Sequence, residues 1–339
     1  MSYQIAIDTI HLRPTPRIAH TEFCDHDPLM EHVERISGEC FRDAWQLDLL
    51  WGTNDGPFGF SKGRTTDMGH ASFLADGSDQ RDAKPSPFTS PEEVWAFDAV
   101  KEYQPPLEAD LIRHYEAWHQ TRKKQHPNQL VTGGYYKTLV SGAIDAFGWD
   151  NLLEAAAEPD KFEKVLDSFF RLTMHYVKAQ AKTSIEVYIN HDDMVWSSGP
   201  FMAPDFYRRV IFPRYAELWK VLRNAGKKVL YCSDANFGMF VDDIFAAGAD
   251  GLIFEPMTPL EPIVAKYGQS KILVSSKVDC RTLTFGTPSA IQKEIDDTLK
   301  LAHRCPGFIF AVGNHIPANI PIENALFYFN YLQNHWHRK

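Results

Sequence analysis

Acid, thiol and imidazole side chains stand directly after short apolar runs at six places in this chain. They are His20 and Glu22 in RIAHTEFCDH, then Asn190-His191-Asp192-Asp193, Cys232-Ser233-Asp234-Ala235-Asn236, Glu255 before Pro256, Asp279-Cys280, and Asn314-His315 in GNHIPANIP. Side chains of these types bind metals, carry protons and accept hydrogen bonds. Asp192 and Asp193 are catalytic candidates because like charges crowded at one place raise a pKa and create an acid–base group. Their plainer reading is one helix cap and one solvated carboxylate. Pro256 forbids helical continuation, so Glu255 leaves its strand extended, with its side chain aimed inward. His315 lies between Gly313 and the prolines Pro317 and Pro321, in a stiff loop of the kind that carries function. Cys232 is either a small buried hydrophobe or a metal ligand. His20 and Glu22, two apart, share one strand face, which is either a substrate surface or a satisfied polar edge. Tyr135 and Tyr136 follow Gly133-Gly134 and either line a pocket or cover a rim. Asp205 and Asn236 read first as caps, because loops entering helices favour such residues. Asn236 and Asp279 also count as substrate-contact candidates.

The elements that must hold these groups are most legible in the second half. Ile185 to Asn190, Lys228 to Cys232, Gly251 to Phe254, Lys271 to Ser275 and Phe308 to Val312 read as buried parallel strands separated by helical segments. The helix after Pro204 should kink at Pro213 and end at Gly226 in a left-handed conformation. Thr287-Pro288 has the N-cap and first-position pattern of another helix. In the first half Ile18 to Phe23, Gly69 to Leu74 and Gln129 to Thr132 supply three more strands, and Leu107 to Gln125 has helical periodicity. Ser90-Pro91-Glu92-Glu93 is a capping box. Eight βα units predict one (β/α)8 TIM barrel domain over residues 1–339, with an N-terminal extension and a long excursion from Gly52 to Pro87. Neither G-x-G-x-x-G nor a P-loop opens a helix, which favours a closed barrel over an open doubly wound sheet. In a barrel the strand ends converge on one mouth, where such enzymes place their chemistry.

Composition narrows the partners. A net charge of −9 and a pI near 5.9 argue against nucleic acid, which requires concentrated Lys and Arg, and favour a small-molecule substrate. The five cysteines form no CxxC pair, so neither a disulfide framework nor a zinc ribbon is expected, and a reducing cytoplasm is the natural compartment. The opening MSYQIAIDTIHLRPTPR lacks the apolar region of a secretory signal. No stretch approaches the roughly 18 apolar residues of a membrane span.

Four segments carry a family likeness: HDDMVWSSGPFMAPDFYRRVIFPRY, KKVLYCSDANFGMFVDDIFAAGADGLIFEP, KVDCRTLTFGT and FAVGNHIPANIPIENAL. Together they resemble the uroporphyrinogen decarboxylase superfamily, which also contains methyltransferases acting with corrinoid proteins. The resemblance implies a TIM barrel. Its porphyrinogen decarboxylases carry arginines after the first strand, where this chain has RIAHTEFCDH, so a polyanionic porphyrinogen fits poorly. Its zinc methyltransferases use a His-x-Cys pair after the fifth strand and a cysteine after the eighth. Here those places read Cys232-Ser233-Asp234 and Gly313-Asn314-His315, which implies a mixed zinc set of Asp234, Glu255, His315 and Cys232. The resemblance favours transfer of a methyl group from a small methylated compound, such as an aryl methyl ether, to a corrinoid carried by a partner protein. Asp192 and Asp193 would orient substrate or relay protons, and His20, Glu22, Tyr135, Tyr136, Asn236 and Asp279 would contact it. Two alternatives stay open: a metal-assisted or cofactor-free decarboxylase or lyase acting on a small acid, and a non-catalytic binding barrel.

Overall fold

The computed structural model describes residues 2–52, 63–66, 72–73, 79–80 and 85–338. Eight short strands supply the framework: β1 (Ala19–His20), β2 (Leu49–Leu50), β3 (Leu130–Val131 continued by Gly133–Tyr135), β4 (Val187–His191), β5 (Lys228–Cys232), β6 (Gly251–Ile253), β7 (Ile272–Ser275) and β8 (Phe308–Phe310). All of their ladders are parallel, in the order β1-β8-β7-β6-β5-β4-β3. β2 pairs with the first part of β3. Between β2 and β1 there is no ladder; one backbone hydrogen bond, Asp48 N–H to the His20 carbonyl at 2.8 Å, spans the gap.

Strand alternation divides the side chains into two cores. Leu49, Leu130, Val187, Ile189, Leu230, Ile253, Ile272, Val274 and Ile309 fill the barrel interior. Alternate residues such as Tyr188, Val229, Leu252, Leu273 and Phe310 face the surrounding helices. Each fully buried Ile or Leu contributes about 1.5–3 kcal/mol relative to an exposed one, which is how strands this short hold together. The amphipathic helix Ser2–Ile10 adds Ile5, Ala6 and Ile10 to the interior cluster. Its Tyr3 hydroxyl donates to Glu186, just ahead of β4, so the helix plugs the N-terminal end of the barrel and leaves the opposite end as the mouth.

The β4 to β8 expectations agree with the structure to within a few residues at their ends. Gly226 takes the left-handed conformation (φ 77°), and the Thr287 hydroxyl accepts from Ala290 N–H at the start of Pro288–Ala302. The expected kink near Pro213 takes the form of a π-helical turn, Tyr207–Ile211, running into helix Phe212–Asn224. One strand assignment is corrected. Within the stretch from Gly69 to Leu74 the described residues Ser72–Phe73 pair antiparallel with Asp79–Gln80 and take no part in the barrel. The second barrel strand is Leu49–Leu50, too short to show any periodicity and defined only by its pairing with β3. Most of the Gly52 to Pro87 excursion lies outside the described residues.

Candidate metal centre at the mouth of the barrel

The alternation that sorts the two cores also sorts the polar groups past the strand ends. On β4 Val187 and Ile189 point inward, so His191 and Asp193 continue the inward row, while Tyr188, Asn190 and Asp192 face the helices. On β5 Leu230 and Cys232 are interior, which carries Asp234 to the mouth. Glu255 continues the row of Ile253, and Tyr136 lies two residues beyond Gly134 on β3.

These inward groups meet. His191 Nε2 lies 3.1 Å from Asp193 Oδ1, and that same carboxylate oxygen accepts the Asp234 backbone N–H at 2.9 Å. The Tyr136 hydroxyl donates to Asp193 Oδ2 at 3.3 Å, and its ring packs on the His191 imidazole with centroids 4.3 Å apart. Asp193 N–H donates to Ser141 Oγ, fixing the turn after β4. Asn314 reaches Asp234 Oδ2 at 3.4 Å from the loop after β8. Ala235 sits in the left-handed region (φ 68°), uncommon for a residue with a side chain, and its N–H donates to Glu255 Oε1 at 2.7 Å.

The electrostatics follow from this packing. Burial opposes charge on His191, but the neighbouring Cys232 and Asp193 outweigh it and hold the imidazole well above its ordinary range. Burial likewise opposes charge on Asp193, and His191 with the Asp234 N–H reverses the balance, so its carboxyl is held low. Burial pushes the Cys232 thiol up, only partly offset by His191. Burial also raises Glu255, assisted by Asp279 and Asp193 and opposed by the Ala235 N–H. One mouth therefore holds an ionised carboxylate beside a carboxyl biased toward its protonated form, the pattern that assigns acid and base roles.

One donor atom each from His191, Asp193 and Asp234 lies within 4.8 Å of the others. A divalent ion with ligand bonds of about 2.0–2.2 Å needs donors about 3–4 Å apart, so a small contraction would seat one. An imidazole with two carboxylates is a hard donor set, suited to zinc or manganese and lacking the thiolates of zinc-thiol chemistry. Among the described residues this is the group with metal-ligand geometry. Asp234 belongs to it, whereas Cys232, Glu255 and His315, expected as its companions, lie outside it.

The other candidates are placed differently. Asp192 is fully buried behind β4, where its carboxylate accepts the N–H groups of Leu139, Val140 and Ser141 and the Tyr215 hydroxyl. It anchors the start of helix Val140–Phe147 instead of facing the mouth, a correction to its catalytic reading. Tyr135 is buried outward, stacked on Tyr176 with centroids 5.0 Å apart. His20 and Glu22 face the helix Ile322–His335. His20 Nδ1 meets the Trp45 carbonyl and Nε2 meets Glu22, whose carboxylate also accepts the Tyr328 hydroxyl and Val312 N–H. These three substrate-contact candidates therefore face away from the group at the mouth, because even-numbered steps from outward residues stay outward. The Asn236 side chain accepts from Gly238 N–H, and Asp279 caps helix Cys280–Phe285 while paired to Arg281. His315 packs edge-on to Phe23, and burial lowers its pKa despite Asp25. His191, missing from the zinc set that the family likeness implies, is reached by the alternation Val187, Ile189, His191, Asp193, which puts it on the inward face.

The sequence matches the uroporphyrinogen decarboxylase (URO-D) family over residues 80–335, about three quarters of its length. The chain belongs to this family. Curated relatives include the uroporphyrinogen decarboxylases of Carboxydothermus hydrogenoformans, 24% identical over 56% of this chain and 53% of that protein, and of Thermus thermophilus, 26% identical over 51% and 48%. The chain thus spans about half the length of the curated relatives it matches. Among solved structures, a methyltransferase from Methanosarcina mazei superposes with a TM-score of 0.65 and 17% identity, covering 98% of both chains. That likeness establishes a shared fold along the whole length. Among the described residues no helix is long and apolar enough to cross a membrane.

Proposed function

We propose that this URO-D family member is a metal-dependent methyltransferase, taking a methyl group from a small methylated compound, first an aryl methyl ether, and passing it to a corrinoid borne by a partner protein. The carrying observation is the inward group of His191, Asp193 and Asp234 at the ends of β4 and β5. Likeness of fold to a methyltransferase adds support. A divalent ion such as zinc held by the three residues would supply Lewis acidity to the ether oxygen. Tyr136 and the Asp234 N–H hold Asp193 in place, and Tyr136 also packs against His191. When the C–O bond breaks, the oxygen would keep the bonding pair and the methyl would go to the reduced corrinoid supplied by the partner. Glu255, whose pKa burial raises, would return a proton to that oxygen. Asp279, Asn236 and His315 would shape the rim around the substrate.

The test incubates metal-loaded protein with methoxyaromatics and a reduced corrinoid acceptor and follows phenol release with methyl-cobalt absorbance. Metal-dependent turnover lost in Asp193→Asn and Glu255→Gln supports the reading; no methyl transfer across the panel overturns it. A second reading rests on the relatives and on Glu255: decarboxylation of a small acid, with Glu255 protonating the carbanion left by CO2. Release of CO2 from aromatic acids without any corrinoid would favour it.

A further inference from the structure

A cavity of about 120 Å³ opens where the chain leaves β1 and β2 and shares no residue with the His191, Asp193 and Asp234 group. It is lined by residues of the β1 and β2 segments and of helix Glu108–Gln125, along the seam that one backbone hydrogen bond crosses instead of a ladder. Met30, Phe41 and Leu50 give it apolar walls, and Arg42 and Arg122 also line it.

We propose that this cavity binds a small organic carboxylate, its head group between Arg42 and Arg122 and its hydrocarbon part against Met30, Phe41 and Leu50. The two arginines are close enough to act on each other: burial, and then Arg42, hold the Arg122 guanidinium below its ordinary value. Among the described residues neither arginine has a carboxylate partner. The acid in the same wall, Glu22, has its carboxylate taken by His20, Tyr328 and the Val312 N–H. Asp43, next to Arg42, is held by Asn128 and Gln129. His126 feels both arginines and adds no negative charge. Two half-buried cations without a counter-ion repel each other, and an anion that satisfies both forks removes that cost. The planar guanidinium fork matches a carboxylate, and the apolar remainder of the cavity favours a monoanion with a hydrocarbon part over a doubly charged phosphate.

The test is calorimetric titration and thermal shift of the whole chain with acetate, propionate, butyrate and benzoate. Chloride and inorganic phosphate at matched ionic strength are the controls. Saturable binding that tightens from acetate to a longer or aromatic chain is expected, weakened about tenfold or more in Arg42→Met and in Arg122→Met. The unliganded Tm of each variant should be unchanged or raised, because a repulsion is removed. No saturable carboxylate binding by the wild-type protein overturns the proposal, as does equal affinity in both variants. Phosphate binding more tightly than every carboxylate overturns the ligand class. Methyl-transfer activity plays no part in any of these readouts, so this site and the mouth stand or fall separately.

Discussion

Two histidine–carboxylate pairs with the same spacing occupy opposite situations in this barrel. His20-x-Glu22 and His191-x-Asp193 both join imidazole Nε2 to a carboxylate oxygen, at 2.9 and 3.1 Å. The first pair is sealed, with side chains 0% and 1% exposed; the second keeps 18% and 26%. Each pair lies on one face of its strand, but the β1 pair faces outward into Trp45, Phe329, Trp336 and Tyr328, and the β4 pair faces the mouth. A residue pair thus acquires its use from the phase of its strand. Every polar atom of the first pair has a hydrogen-bond partner within the protein. In the second, donor atoms gather where a ligand can enter.

If that distinction is right, Glu22→Ala has the largest effect on folding. It leaves His20, Tyr328 and the Val312 N–H facing an empty buried site, and urea unfolding should show a loss of about 3–5 kcal/mol. Asp193→Ala should cost about 1 kcal/mol, since water can reach what it leaves. Equal losses would break the comparison. Metal affinity reverses the order. His191→Ala and Asp193→Ala should each weaken zinc or manganese binding by about 100-fold or more in calorimetry on chelator-treated protein, whereas Asp192→Asn stays within about tenfold despite lower stability. Tyr136→Phe removes only the hydroxyl that holds Asp193, and about tenfold weaker metal binding is expected with little change in Tm.

The smallest effect concerns Glu255 and pH. Burial raises its folded-state pKa above the unfolded value, so its contribution to stability is full below the unfolded pKa and is lost as pH rises through the raised one. Above the raised pKa the wild-type protein carries a half-buried carboxylate, and glutamine carries none. In metal-free urea titrations Glu255→Gln should be more stable at pH 7 by under about 1 kcal/mol, the gap closing near pH 4. A gap that is constant across pH would mean the carboxyl is not biased by its surroundings.

Much of this arrangement was legible in the chain. β4 to β8 could be read because each is a run of buried aliphatic residues followed by a polar exit, and Asp193, Asp234 and Glu255 could be named from those exits. β2 could not, because two residues carry no period and only the ladder with Leu130–Val131 makes Leu49–Leu50 a strand. Asp192 and Asp193 are chemically identical and adjacent. The three N–H groups at the start of helix Val140–Phe147 claimed the first, and the Asp234 N–H with His191 claimed the second.

The amino-acid sequence by itself determined the repeated βα units, the polar strand ends and the family, since these follow from local periodicity and residue type. Tertiary structure alone decided which polar ends share a cavity. Strand phase, the helix packed behind each strand and the approach of β2 to β1 are set by contacts between residues far apart in the chain, and no local pattern encodes them.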